Sequence, residues 1–190
     1  ATVTIEGAGD VNLGTLVAPS TATDDLTVNG SAMTGALTVS TQAGNDTITG
    51  GSKADTINAG AGTNSLTGNG GSDNFNVTAG DSGAIGSQSV ITDFAAGTGG
   101  DVLNLTTGAD TKSYDALTNA EQQTVSGEAT LTAAVNTALT GATDSQWTAF
   151  EYGGKSYAVY DTDNTFDTTN GYLIELTGVT VADLVATNFA

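Results

Sequence analysis

The 190-residue chain has no cysteine, no histidine, no arginine and a single proline. Three lysines (Lys53, Lys112 and Lys155) stand against 21 Asp and Glu, a formal net charge of −18. Each shortage removes a class of chemistry. Without thiols there is no disulfide framework, cysteine nucleophile or thiolate zinc site. Without imidazole there is no Ser-His-Asp triad and no histidine-ligated metal. Three scattered lysines cannot neutralise a phosphate backbone, so nucleic acid is not expected as a partner. No apolar run approaches the roughly 20 residues of a membrane-spanning helix, so no transmembrane segment is expected. Ala1–Asp10 has neither the basic start nor the apolar core of an N-terminal export signal. What remains is oxygen: carboxylates, amides, hydroxyls and backbone carbonyls, the donors that hard cations prefer.

High net charge can accompany disorder, but here 38% of residues are hydrophobic and they are spread along the whole chain. The aromatics are not spread: only Phe75 precedes Phe94, whereas Trp147, Phe150, Tyr152, Tyr157, Tyr160 and Tyr172 gather late. The chain reads as a repetitive region followed by a small domain of ordinary composition.

From Thr41 the sequence divides into nines without a gap: TQAGNDTIT (41–49), GGSKADTIN (50–58), AGAGTNSLT (59–67) and GNGGSDNFN (68–76). Position six holds Asp46, Asp55, Asn64 and Asp73, and position eight holds Ile48, Ile57, Leu66 and Phe75. Glycines, including Gly44, Gly51, Gly60, Gly62 and Gly71, crowd the first four positions. Nine residues are too few for a helix pair but enough for a six-residue turn and a short strand. The lone large apolar residue points inward while positions seven and nine face out. Strands this short must stack. Stacking puts the position-six side chains in columns that repel unless a cation sits between them, and two carboxylates with turn carbonyls make an oxygen shell that Ca²⁺ accepts. A metal-free solenoid and a glycine-rich linker are the alternatives; a linker would not keep an Ile/Ile/Leu/Phe column.

These blocks resemble the GGxGxDxUx nonapeptide of the repeats-in-toxin (RTX) family, the haemolysin-type calcium-binding repeats. The resemblance implies a mainly β fold, a right-handed parallel β-roll or β-helix with calcium-binding turns, two blocks per coil and several Ca²⁺ ions. It pairs Asp46 with Asn64 and Asp55 with Asp73 across metal sites, with the turn glycines Gly44, Gly51, Gly60, Gly62 and Gly71 contributing. Lys53 replaces a turn glycine and Asn64 an aspartate, so the Asn64 site should bind more weakly. Val90–Phe94 and Val102–Leu105, joined by a glycine loop, resemble the segment that closes such rolls, with Asp93 and Asp101 as ligands of a terminal ion. Upstream, Leu26–Val28 and Leu37–Val39 read as irregular rungs. Asp10, Asp24 and Asp25 are read there as exposed turn residues rather than extra ligands.

The expected organisation is irregular β-helix rungs over 1–40, the roll and its closing strands over 41–105, and a small α+β C-terminal domain over 106–190. In the last, helices are expected over Tyr114–Gln123 and Glu128–Leu139, and a hairpin over Trp147–Tyr160 turning at Gly153-Gly154. A strand is expected at Tyr172–Leu176 and a capping box at Thr180–Asp183 opening a short helix. Asp161, Asp163 and Asp167 mimic an EF-hand, but Phe166 and Tyr172 stand where glycine and glutamate are needed. A polar loop and a different calcium loop both remain open there. The aromatics are read as core rather than as a sugar-binding face.

The order of these parts also resembles the C-terminal ends of type I secreted proteins, in particular RTX surface-layer (S-layer) proteins and large adhesins. That resemblance implies a calcium-dependent structural protein of the extracellular cell surface; neither H-E-x-x-H nor G-x-S-x-G occurs, so no enzymatic activity of this segment is expected. Gly141–Ala190 would be part of the export signal read by a type I secretion apparatus. Copies of the chain would be partners in a surface lattice, and cell-envelope polysaccharide would be bound by parts outside this segment. The alternatives are the terminal domain of an adhesin, or of an RTX protease or lipase with its catalytic domain elsewhere.

Overall fold

The structure, a computed structural model, describes residues 1–17, 23–77, 84–106, 113–140, 146–161, 166 and 171–190. Strands come in pairs along the chain: β1 (Thr2–Gly7) and β2 (Val11–Thr15), β3 (Thr27–Met33) and β4 (Leu37–Ser40), β5 (Thr47–Thr49) and β6 (Thr56–Asn58), β7 (Ser65–Thr67) and β8 (Asn74–Val77), β9 (Ser89–Ile91) and β10 (Val102–Leu105). The first of each pair joins one sheet, β1-β3-β5-β7-β9, and the second joins another, β2-β4-β6-β8-β10. Every neighbour in these two stacks is parallel. Two blocks therefore complete one coil of a parallel β-roll. Between residues 38 and 76 the register is strict, with Ile48 beside Leu66 and Ile57 beside Phe75. Outside it the coils lengthen: Thr27 pairs with Thr47, and Leu66 with Ile91.

A three-residue strand has one inward side chain and cannot stand alone, so stability comes from the stack. One ladder runs Val28, Ile48, Leu66, Ile91 and the facing one runs Val39, Ile57, Phe75, Leu103, none more than 3% exposed. Thr47 is exposed, and Thr49, Thr56 and Asn58 are half-buried, as the alternation requires.

The C-terminal segment adds β11 (Ser113–Ala116), α1 (Asn119–Ser126), α2 (Leu131–Thr140), β12 (Gln146–Tyr152), β13 (Lys155–Asp161), β14 (Tyr172–Leu176) and single 3-10 turns at Val181–Asp183 and Ala186–Asn188. It does not hang off the roll. β14 lies parallel to β9, so the first sheet continues through β14, β13, β12 and β11 to nine strands. Trp147, Ala149, Ala158, Tyr160, Tyr172, Ile174 and Leu176 face the same apolar core as the roll interior. Phe150, Tyr157, Val159 and Leu173 face the other way and are covered by Val125, Ala134, Val135, Ala138 and Leu139 of the helices. Sheets buried on both faces need near-continuous apolar strands, which explains the aromatic gathering. Trp147, Phe150, Tyr157, Tyr160 and Tyr172 are all buried. The C-terminus closes the second sheet: Ala190 exchanges backbone hydrogen bonds with Leu103 and Leu105 of β10 at 3.0 and 2.8 Å.

Three local expectations change. The segment from Tyr114 begins as a strand, because β11 pairs with β12 and the Tyr114 ring stacks on Phe189 at 4.6 Å. α1 starts only at Asn119, behind a Thr118–Glu121 capping box. α2 likewise starts at Leu131 rather than Glu128. The Asp183 carboxylate accepts the Thr180 N–H and hydroxyl as expected, but the turn it opens is 3-10.

Phe75 is the largest side chain in the regular rungs. Phe75→Ala should cost about 3–5 kcal/mol in calcium-saturated denaturant unfolding. A loss under about 1 kcal/mol would mean that the rungs do not unfold as one packed unit.

Candidate metal centre

The roll has two turn-bearing edges. Turns 50–55, 68–73 and 92–101 pass from the first sheet to the second, and turns 41–46 and 59–64 pass back. Position six ends each regular turn one residue before the strand, and its side chain folds under the turn. Asp46, Asp55, Asn64, Asp73 and Asp101 are all 3% exposed or less.

Burying carboxylates is costly unless they are hydrogen-bonded. Each of these meets that demand by accepting the backbone N–H of the preceding coil. Asp46 Oδ1 accepts from Leu26 at 2.8 Å and Asn64 Oδ1 from Asp46 at 2.8 Å. On the other edge Asp55 Oδ1 accepts from Leu37 at 2.7 Å, Asp73 Oδ1 from Asp55 at 2.7 Å, and Asp101 Oδ1 from Asp73 at 2.8 Å. Asp93 caps the same edge, taking the N–H groups of Gly68 and Asn69 at 2.9 and 2.7 Å.

The second oxygens are unequally served. Asp55 Oδ2 accepts the Gly51 N–H at 2.6 Å and Asp101 Oδ2 the Ala95 N–H at 2.8 Å. Asp46 Oδ2 and Asp73 Oδ2 are buried with no hydrogen-bond partner, which a native fold does not normally leave uncompensated. On the Asp55–Asp73 edge, glycine backbone lies directly against the second oxygens. A Cβ on Gly68 would collide with Asp73 Oδ2, and one on Gly50 with Asp55 Oδ2 and the Gly68 carbonyl. The turns themselves stack backbone on backbone: a Cβ on Gly60 would strike the Gln42 carbonyl, on Gly62 the Gly44 carbonyl, and on Gly71 the Lys53 carbonyl carbon at 2.5 Å.

Electrostatics point the same way. Burial pushes the Asp73 carboxyl up to about 6; the Asp55 N–H opposes this, and the charges of Asp101, Asp55 and Asp93 add to it. Burial also raises Asp55 and Asp101, against the hydrogen bonds they accept. A divalent cation would relieve both desolvation and mutual repulsion. Among the described residues no three His, Cys, Asp or Glu side chains group into a metal site by themselves. The shell must therefore combine carboxylates with turn carbonyls, which Ca²⁺ tolerates. The donor set fits that ion. Asp46 and Asp73 would hold it through their free oxygens, and Asp55, Asp93 and Asp101 have further lone pairs to lend.

The structure thus brings together Asp46 with Asn64, Asp55 with Asp73, and Asp93 and Asp101 around turn 68–73. Asp10 and Asp25 are exposed, as read from sequence, and each accepts one N–H from the following coil: Asp10 Oδ1 that of Ala36 at 2.8 Å and Asp25 Oδ1 that of Asn45 at 2.7 Å. Asp161 is buried at the end of β13, while Asp163 and Asp167 lie outside the described residues. Two participants were not foreseen. Ser89, the first residue of β9, takes the position-six role there, hidden by the longer coil. Asn188 clamps the glycine loop, donating to the Asp101 carbonyl at 2.7 Å and accepting the Gly97 N–H at 3.0 Å. Nothing local in sequence ties it to a loop some 90 residues away.

A parallel β-roll with inward carboxylates and glycine-rich turns stacked backbone on backbone defines a solenoid whose turns can take calcium. Residues 40–81 match the family model of the RTX calcium-binding nonapeptide repeat, in four copies. No curated protein and no solved structure gives a match. The chain therefore carries RTX repeats, and Ca²⁺ is the ion such repeats bind. No helix among the described residues is long and apolar enough to cross a membrane.

The raised Asp73 carboxyl fixes a pH dependence. Its folded value, about 6, lies above its ordinary 3.8, so Asp73 holds its proton more tightly in the metal-free roll than in the unfolded chain. That contribution is fully present below the unfolded value and is lost as pH rises through about 6. In EDTA, rung structure followed by circular dichroism should increase from about pH 7 to about pH 5, whereas apparent calcium affinity should fall over the same range. Affinity constant across that range would contradict the assignment of Asp73 as a ligand.

Proposed function

We propose that this chain is the calcium-dependent structural end of a type I secreted bacterial surface protein, an S-layer protein, and that it is not itself an enzyme. The observation that carries the calcium-dependent part is the pair of partnerless buried carboxylate oxygens, Asp46 Oδ2 and Asp73 Oδ2, inside turns that exist only when coils stack. A site absent from the unfolded chain makes binding free energy into folding free energy. Such a chain stays open in low calcium, passes an export channel, and folds outside the cell. The C-terminal residues would carry the export signal. The acidic, sulfur-poor composition suits an abundant exported coat, in which calcium also bridges neighbouring copies. Cell-envelope polysaccharide would be held by parts outside this segment.

Excess EDTA should abolish the β signal of the roll in circular dichroism, and millimolar calcium should restore it. A spectrum unchanged by EDTA would count against calcium-dependent folding. A two-dimensional lattice that forms in calcium and dissolves on chelation, seen by electron microscopy, tests the S-layer assignment. A chain that folds with calcium but never forms a lattice fits the terminal domain of an adhesin or of a secreted enzyme instead.

A further inference from the structure

The two edges of the roll carry the same ladder but not the same charge. On one, the steps are Asp55, Asp73 and Asp101, all carboxylates. On the other they are Asp46, Asn64 and Ser89: carboxylate, amide, hydroxyl. The backbone contacts are preserved, since the Asn64 N–H donates to Ser89 Oγ at 3.0 Å just as the Asp46 N–H donates to Asn64 Oδ1 at 2.8 Å. The two neutral groups differ from a carboxylate in having protons to give, and they give them to the turn. Asn64 Nδ2 donates to the Gly60 carbonyl at 3.1 Å, and Ser89 Oγ donates to the Gly62 carbonyl at 3.2 Å. These are turn carbonyls that a cation would otherwise draw on. The cavity beside Gly60, Asn64 and Ser89 has a volume of about 10 Å³ and is walled elsewhere by Leu66, Val77 and Ile174, room for one water at most.

We infer that the roll is loaded with metal asymmetrically: Asp46 and the Asp55–Asp73–Asp101 edge take calcium, and turn 59–64 is closed by Asn64 and Ser89 without it. This rests on the calcium-binding role proposed above and removes the ion expected between Asp46 and Asn64, so that Asp46 takes its ion on the side of the coil before it, whose Leu26 N–H it accepts. The placement has a consequence. Turn 59–64 leads into β7, which pairs with β9, which pairs with β14. The seam between roll and C-terminal sheet is therefore stapled by protein hydrogen bonds, while the opposite edge depends on the ion.

The test is the number of calcium ions per 190-residue chain, counted by native mass spectrometry at saturating calcium, for the wild type, Asn64→Asp and Asp73→Asn. Asn64→Asp should hold one ion more than wild type, because it removes a donor and adds a charge. Asp73→Asn should hold fewer. If Asp73→Asn fails to fold, Asn64→Asp still decides, being a gain of site. An unchanged count in Asn64→Asp, with or without tighter binding, would overturn the asymmetry alone. A wild-type chain that binds no calcium would overturn the proposed function and the asymmetry with it.

Discussion

The whole structure depends on one contact repeated along each edge: a buried position-six oxygen accepting the backbone N–H of the coil before it. Strands of three residues bury one apolar side chain each, too little to order a turn of six. The contact sets the spacing between coils, so that Ile48 meets Leu66 and Ile57 meets Phe75 in register. It also has an unavoidable remainder. A carboxylate has two oxygens and one charge, and hydrogen bonding one oxygen to an amide leaves the rest of the group in the interior. Where a second N–H is at hand, as for Asp55 and Asp101, the remainder is partly met. Where none is, as for Asp46 and Asp73, the fold is incomplete as a protein alone.

The C-terminal segment answers a different need, the open end of a solenoid. β14 covers the edge of β9, Ala190 covers β10, and Asn188 holds the loop that delivers Asp101 to the last coil. Roll and C-terminal sheet share one apolar core from Val28 to Phe189. Order at the metal-bearing edge and order at the chain's end are thus mechanically connected.

What was legible in the sequence follows from range. The nine-residue period exposed the rungs, the inward apolar column and the position-six ladder, because each is a local pattern repeated in phase. The β12–β13 hairpin was legible from the Gly153-Gly154 turn between two aromatic-rich runs, and β14 from the short apolar run after it. Tyr114 was misread as helical because its environment is set by Phe189, which no local pattern reveals. Ser89 was missed because the coil before it is longer than the repeat. Asp10 and Asp25 were read as exposed turn aspartates and are exposed; which N–H groups they receive is visible only in the three-dimensional stack.

The most direct measurement is a crystal structure of the chain grown in millimolar calcium, with ions identified by anomalous scattering. The account predicts calcium density within bonding distance of Asp46 Oδ2 and Asp73 Oδ2, about 2.3–2.6 Å, with turn carbonyls completing each shell. An ordered roll with water or nothing at both oxygens would contradict it.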